Sequence, residues 1–206
     1  MELFGRSSSH FTRIVRIFAA EAEVGYDFHL IRDLMSAEPG EYGDNPALKM
    51  PTLHDDGGRA WFGSIAICRE LARHSGLNLD ITWPEDLDTP LTANAQEMVL
   101  QAMASEVALV MGKSTGVPAD NPHQAKLRAS LLGTMQWLEQ NAPAAIAALP
   151  PERDLSYLEV SLFCLVEHLP FREVLATDAY PNLRAFAERF GKRSSAKATP
   201  YKFDFQ

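Results

Sequence analysis

A proline at the mouth of a strand limits what this chain can build. In Lys49-Met50-Pro51-Thr52-Leu53 the segment runs into a strand-like stretch, Thr52 to His54. Pro51 has no N–H to give a ladder, so it stands at a strand's first residue or on an edge. One arrangement that satisfies this is a cis Met50–Pro51 bond, with the Met50 backbone turned outward toward a ligand. Further on, Ser64 precedes an apolar run with helical spacing, Ile65, Ile67, Cys68 and Leu71. Its hydroxyl and the first free amides of that helix make a seat for a carboxylate. Together the two features read as a site for a peptide-like molecule. Taken singly, they are a turn proline and an ordinary serine cap.

The elements around that proline alternate in type. Glu2 to Phe4 reads as a short strand stopping at Gly5, followed by the serines of Ser7-Ser8-Ser9. Phe11, Ile14, Val15, Phe18 and Ala22 keep the spacing of an amphipathic helix, which Gly25 is expected to end. Asp27 to Ile31 alternates as a second strand, and a strand, helix, strand unit of this kind is parallel and right-handed. Glu38 to Asn45, with Pro39, Gly40 and Gly43, reads as a loop with at most one turn of helix. Thr52 to His54 and Arg59 to Trp61 flank Asp55-Asp56-Gly57-Gly58, a hairpin signal.

After Leu77 the pattern changes. Leu77 to Pro90, with Trp83-Pro84 and Thr89-Pro90, has no sustained period and reads as a linker. Everything beyond it is expected to be helical. Met98, Ala102, Ser105 and Leu109 mark one helix, and Leu127, Leu131, Met135 and Leu138 the next. A third, through Leu158, Leu162, Leu165 and Val166, opens with Ser156 as N-cap, Glu159 in the capping-box position, and Leu155 with Val160 as hydrophobic staple. A fourth, through Leu183, Phe186, Ala187 and Phe190, is entered at Tyr180-Pro181. The aromatic end, Tyr201, Phe203 and Phe205, is expected to pack back on the surface. The domains expected are 1–78, a linker over 79–90, and an all-helical 91–206.

Composition removes several functions. A net charge of −8 argues against nucleic acid and anionic membranes, both of which ask for clustered positive charge. No apolar run reaches the ~20 residues that span a bilayer, and Arg13, Arg16 and Glu21 break up the one apolar stretch that a signal peptide would need. The cytoplasm is therefore the expected compartment. Cys68 and Cys164 lie in separate apolar helical patterns and read as buried free thiols. The six histidines occur singly, with no spacing that gathers a metal on one face, so no metal is expected.

Five segments, in order, resemble the glutathione transferase superfamily: Ser9-His10-Phe11-Thr12-Arg13-Ile14-Val15-Arg16, Asn45-Pro46 through Lys49-Met50-Pro51-Thr52-Leu53, Ser64-Ile65-Ala66-Ile67, Ser156 to Glu159, and Tyr180-Pro181-Asn182-Leu183 onward. The resemblance implies an α/β thioredoxin-like N-terminal domain and an all-α helical-bundle C-terminal domain. Its N-terminal part resembles serine-type or cysteine-type bacterial-like members, and it implies a homodimer that activates glutathione for attack on a small hydrophobic electrophile, as in detoxification, with an isomerase, a dehalogenase or an ether-cleaving lyase as alternatives that use the same thiolate. By the same resemblance Ser9 is the catalytic residue. Lys49, Met50 and Pro51 hold the cysteinyl part of glutathione, Gly63 and Ser64 stand at the γ-glutamyl end, and His10 and Phe11 line the substrate pocket with residues of the Met98 to Met111 helix. Three serines precede the helix, so Ser7 and Ser8 remain alternatives to Ser9, and an N-cap role suits any of them.

Two departures from the family pattern matter. Gly63 stands where an acid usually meets the ligand's amino group, and Glu38, Glu41 and Asp44 occupy a loop that is often basic. They favour a rival reading, a non-catalytic protein that binds a hydrophobic ligand or a partner. A glutaredoxin-type oxidoreductase is disfavoured, because Ser9 and Thr12 stand where its cysteines would be.

Overall fold

The computed structural model describes residues 1–205, which fall into two compact units. The first holds residues 1–79 and 192–205, the second residues 80–191.

The first unit is built on a four-stranded sheet of order β2-β1-β3-β4, comprising β1 (Glu2–Gly5), β2 (Asp27–Leu30), β3 (Thr52–His54) and β4 (Ala60–Phe62). Strands β1 and β2 are parallel and joined through α1 (His10–Glu21), as the sequence pattern requires; the other pairs are antiparallel. Leu3 and Leu53 are cross-strand partners, and both are fully buried, as are Ile14, Val15 and Ile17 of α1 and Ile67 and Leu71 of α2 (Ser64–His74). Burying a side chain of this size contributes about 1.5–3 kcal/mol, so this apolar layer fixes α1 and α2 in place. Phe4, the next residue along β1, instead stacks on His29 and meets the tilted ring of His54, with ring centroids 4.8 and 4.9 Å away. The arrangement is a thioredoxin-like sheet carrying the expected Pro51 at the mouth of β3.

The β3–β4 hairpin is closed by one carboxylate. Asp55 accepts the amides of Gly57 and Arg59 on Oδ1, at 2.9 and 3.0 Å, and the Arg59 Nε–H and Trp61 Nε1–H on Oδ2, at 2.7 and 3.0 Å. The bond from Trp61 is the largest of the effects that, together with the Arg59 and Gly57 bonds, hold the Asp55 carboxyl well below the usual carboxylate range.

The second unit contains α3 (Pro90–Ser114), α4 (Pro122–Ala147), α5 (Tyr157–Phe171) and α6 (Pro181–Phe190). Val99, Met103, Met135, Leu138, Leu162 and Leu165 are fully buried. Polar pairs add specificity to that core: Gln96 Nε2 donates to Ser161 Oγ at 3.1 Å, and His168 Nδ1 lies 2.8 Å from Glu106 Oε1. The Glu139 carboxylate of α4 caps α6, accepting the amides of Asn182 and Leu183 at 2.9 and 3.1 Å.

The structure corrects the sequence reading at five places. Helix α1 ends at Glu21, with Ala22 as C-cap and Glu23 at φ 54, so Gly25 does not end it. The segment read as a linker contains β5 (Ile81–Thr82), parallel to β6 (Leu155–Ser156) in a part expected to be all helical. Ser156 is the N-cap of α5, but its hydroxyl makes no cap bond; Glu159 forms a two-bond pair with Arg153, at 2.7 and 2.9 Å, instead of a capping box. Ser64 is the first helical residue of α2, and Gly63 is the N-cap. Residues 192–205 group with the first unit, where α7 (Ser194–Ala198) packs on α1, whereas the sequence boundaries put them with the helices. Cys68 and Cys164 are buried and free of any disulfide.

Candidate functional site

The site residues of the first unit are placed by two helix starts and one strand mouth. Between β1 and α1 the chain makes a turn closed by the Ser9 N–H donating to Arg6 O at 3.1 Å. Ser9 then takes extended backbone, φ −101 and ψ 127, and its Oγ accepts the Thr12 N–H at 3.2 Å. Of the three serines it is the helix cap. Ser7 is only 2% exposed, while Ser8 and Ser9 are half-buried. The Thr12 bond occupies a lone pair of the Ser9 oxygen and leaves its O–H to donate. An anion beside that hydroxyl also meets the positive end of a three-turn helix.

Close packing fixes the turn's position. A Cβ on Gly5 would lie 2.6 Å from both Thr12 Cγ2 and Oγ1, so only glycine lets the end of β1 approach the first turn of α1 this closely. His10, the first residue of α1, is buried, with its ring edge-on to Phe11 at 4.6 Å; Phe11 is half-buried. Arg13 donates to Ala196 O at 3.4 Å and lies over the Tyr201 ring at 4.2 Å. Arg16 donates to Tyr26 Oη at 3.2 Å and lies over Phe28. Both guanidinium groups thus hold neighbouring segments against α1.

Lys49 is exposed, Met50 half-buried and Pro51 buried, and the Met50–Pro51 bond is cis. Asn45 organises the approach to them, donating from Nδ2 to Lys49 O and accepting the Ala47 N–H on Oδ1, both at 2.9 Å. The Pro51 carbonyl accepts the Gly63 N–H at 3.3 Å. That bond brings the Met50-Pro51 step beside Gly63 and Ser64, so these sequence-predicted residues share one edge of the unit. Gly63 has φ 78 and ψ 146, a conformation that suits glycine, and open space lies where a side chain would project. Ser64 is buried. Glu38, Glu41 and Asp44 are exposed around a 3-10 turn over Pro39–Tyr42.

Residues 8–74, which contain Ser9, the Met50-Pro51 step, Gly63 and Ser64, match the family model described as the glutathione S-transferase N-terminal domain. This segment is similar to that domain, and over the whole chain the fold is that of many solved glutathione transferases. One from Methylobacillus flagellatus KT, with glutathione bound, is 20% identical, with 98% of this chain and 99% of that one aligned at a TM-score of 0.77. A family member from Pseudomonas fluorescens Pf-5, also with bound glutathione, is 20% identical over 98% of each chain, at 0.78. The transferase from Methylobacterium radiotolerans JCM 2831, in complex with glutathione sulfonate, is 18% identical over 100% of this chain and 97% of that one, at 0.74. No curated protein matches the chain in sequence.

Sequence reasoning misses three residues of this candidate site. The sequence shows Asn45 only as part of a motif, Gly5 only as a strand stop, and Asp204, which holds the Ser7 amide at 2.7 Å, not at all. The Asx pattern of Asn45 with Ala47 was findable locally. The Asp204 contact joins residues 197 positions apart and leaves no local signal.

Proposed function

We propose that this protein is a glutathione transferase, which binds glutathione in its first unit and uses the Ser9 hydroxyl to stabilise the thiolate for attack on a small hydrophobic electrophile. The observation that carries this is Ser9 itself, a half-exposed cap whose oxygen is fixed by Thr12 while its proton remains available. The solved relatives with glutathione bound support the choice of thiol. Lys49, Met50 and Pro51 then hold the cysteinyl part, Gly63 and Ser64 take the γ-glutamyl end, and His10 and Phe11 face the electrophile. The active form is a cytoplasmic homodimer.

The energetics are sufficient without a metal. A free thiol titrates near ~8.5, and lowering that by about two units takes about 2.7 kcal/mol. A hydroxyl donating to an anion supplies roughly 1.5–3 kcal/mol, and the α1 terminus roughly 0.3–1 kcal/mol. The thiol proton leaves to solvent, sulfur forms a bond to the electrophilic carbon, and the leaving group departs with its electron pair.

Gly63 and the acidic loop favour a second reading, a glutathione transferase-like protein that binds without turnover. Thiolate absorbance of glutathione with this protein, from pH 5 to 9, separates the two. A thiolate forming well below the free pKa in wild type, and lost in Ser9→Ala, supports catalysis. No bound thiolate at any concentration supports the binding role.

A further inference from the structure

The turn that presents Ser9 is held from the far end of the chain. Asp204 Oδ2 accepts the Ser7 N–H at 2.7 Å, and Ser7 is almost wholly out of water. A buried amide without a partner costs about 1–3 kcal/mol, so the position of this turn depends on that carboxylate.

The segment that delivers Asp204 is braced at three points. Arg193 donates to both oxygens of Glu21, at 2.7 and 2.9 Å, and Ser195 donates to one of them. Burial pushes the Glu21 carboxyl up, but the bonds from Arg193 and Ser195 outweigh it and leave the group below its ordinary value. Arg13 holds Ala196 O and covers Tyr201. Arg6 and Arg32 lie over the Phe205 ring, at 5.4 and 5.8 Å, while the Arg6 side chain also donates to Ile31 O at 2.6 Å and to Arg32 O. Arg6 carries the carbonyl that closes the Ser9 turn, so the brace and the turn share a residue.

We propose that Asp204 is a positioning residue for Ser9: by holding the Ser7 amide it fixes the Arg6–Ser9 turn, and with it the direction of the Ser9 hydroxyl. This rests on the reading of Ser9 given above. Misplacing a catalytic group by about 1 Å costs up to ~100-fold in rate. Asp204→Ala is therefore expected to return the bound glutathione thiol toward its free titration and to lower turnover by about ten-fold or more. Asp204→Asn keeps an acceptor oxygen for Ser7 while removing the charge beside Arg6, and is expected to restore most of both.

The test combines hydrogen exchange of peptides covering residues 6–13 with the thiol titration, in wild type, Asp204→Ala and Asp204→Asn. Faster exchange and a lost thiol shift in the alanine variant, both recovered with asparagine, support the proposal. Unchanged exchange overturns it. Faster exchange with a wild-type thiol titration also overturns it, since Asp204 then fastens the chain without aiming Ser9. If wild type itself never lowers the thiol titration, the Ser9 reading fails, and the exchange comparison alone decides whether Asp204 orders the turn.

Discussion

Ser9 Oγ lies 3.2 Å from the Thr12 amide nitrogen, so the hydroxyl assigned to the thiolate is also the cap of α1. One substitution therefore acts on stability and chemistry together. Ser9→Ala is expected to cost about 1 kcal/mol, lowering the melting temperature by roughly 2–4 °C, and to reduce turnover by roughly ten-fold or more. Thermal melts and initial rates on the same preparation measure both. Unchanged turnover in this variant, together with an inactive Ser8→Ala, moves the role one residue back.

The contact of Gly5 with Thr12 predicts a coupled pair. Gly5→Ala forces a methyl into the first turn of α1 and is expected to destabilise by about 1–3 kcal/mol. Among the described residues Thr12 Oγ1 is buried with no hydrogen-bond partner, so Thr12→Ala removes the obstruction without breaking a bond seen there. The double variant should be more stable than Gly5→Ala alone, with a coupling of about 0.5–3 kcal/mol in denaturant titrations. Additive losses would show that Thr12 is not the obstruction.

Asp55 predicts a particular acid response. Its folded pKa is depressed, so its contribution is fully present above the unfolded carboxylate value, about 3.9, and is lost as pH falls through the folded value. The melting temperatures of wild type and Asp55→Ala should differ by a constant amount above about pH 5 and converge below about pH 4. A gap that persists unchanged into strong acid would mean that the hairpin does not depend on the ionised carboxylate.

Gly63 offers an experiment in the opposite direction. Its backbone, φ 78 and ψ 146, suits glycine, so Gly63→Glu is expected to lose about 1–3 kcal/mol of stability. There is open space for the new side chain, and a carboxylate meeting the ligand's amino group adds a charge-assisted bond. Glutathione affinity, measured by calorimetry, should rise about ten-fold or more. Unchanged affinity would place the γ-glutamyl end elsewhere.

What the sequence reveals here follows the range of the interactions. The strand, helix, strand start, the Asp55 hairpin and the helix after Ser64 rest on neighbours in sequence, and each is visible as a period or a turn. The pairing of β5 with β6 joins two-residue strands far apart in the chain, too short for any alternation to show. The capping box fails at Ser156 because Arg153, just upstream, takes Glu159 first, and a spacing rule does not register such competition. At the candidate site, the cap at Ser9, the cis Met50–Pro51 bond and the helix start at Ser64 are legible because backbone geometry limits which residues fit there. Asp204 is illegible for the converse reason: its partner is an amide, which every residue but proline has.

The grouping of residues 192–205 with residues 1–79 bears on how the molecule is made. Synthesis releases the sheet and its two helices early, yet their last braces, Arg193 on Glu21 and Asp204 on Ser7, emerge only after all of α3 to α6. The unit whose sheet is made first is thus finished only after the second unit, and a nascent polypeptide presents an unsecured Ser9 turn until Asp204 has emerged.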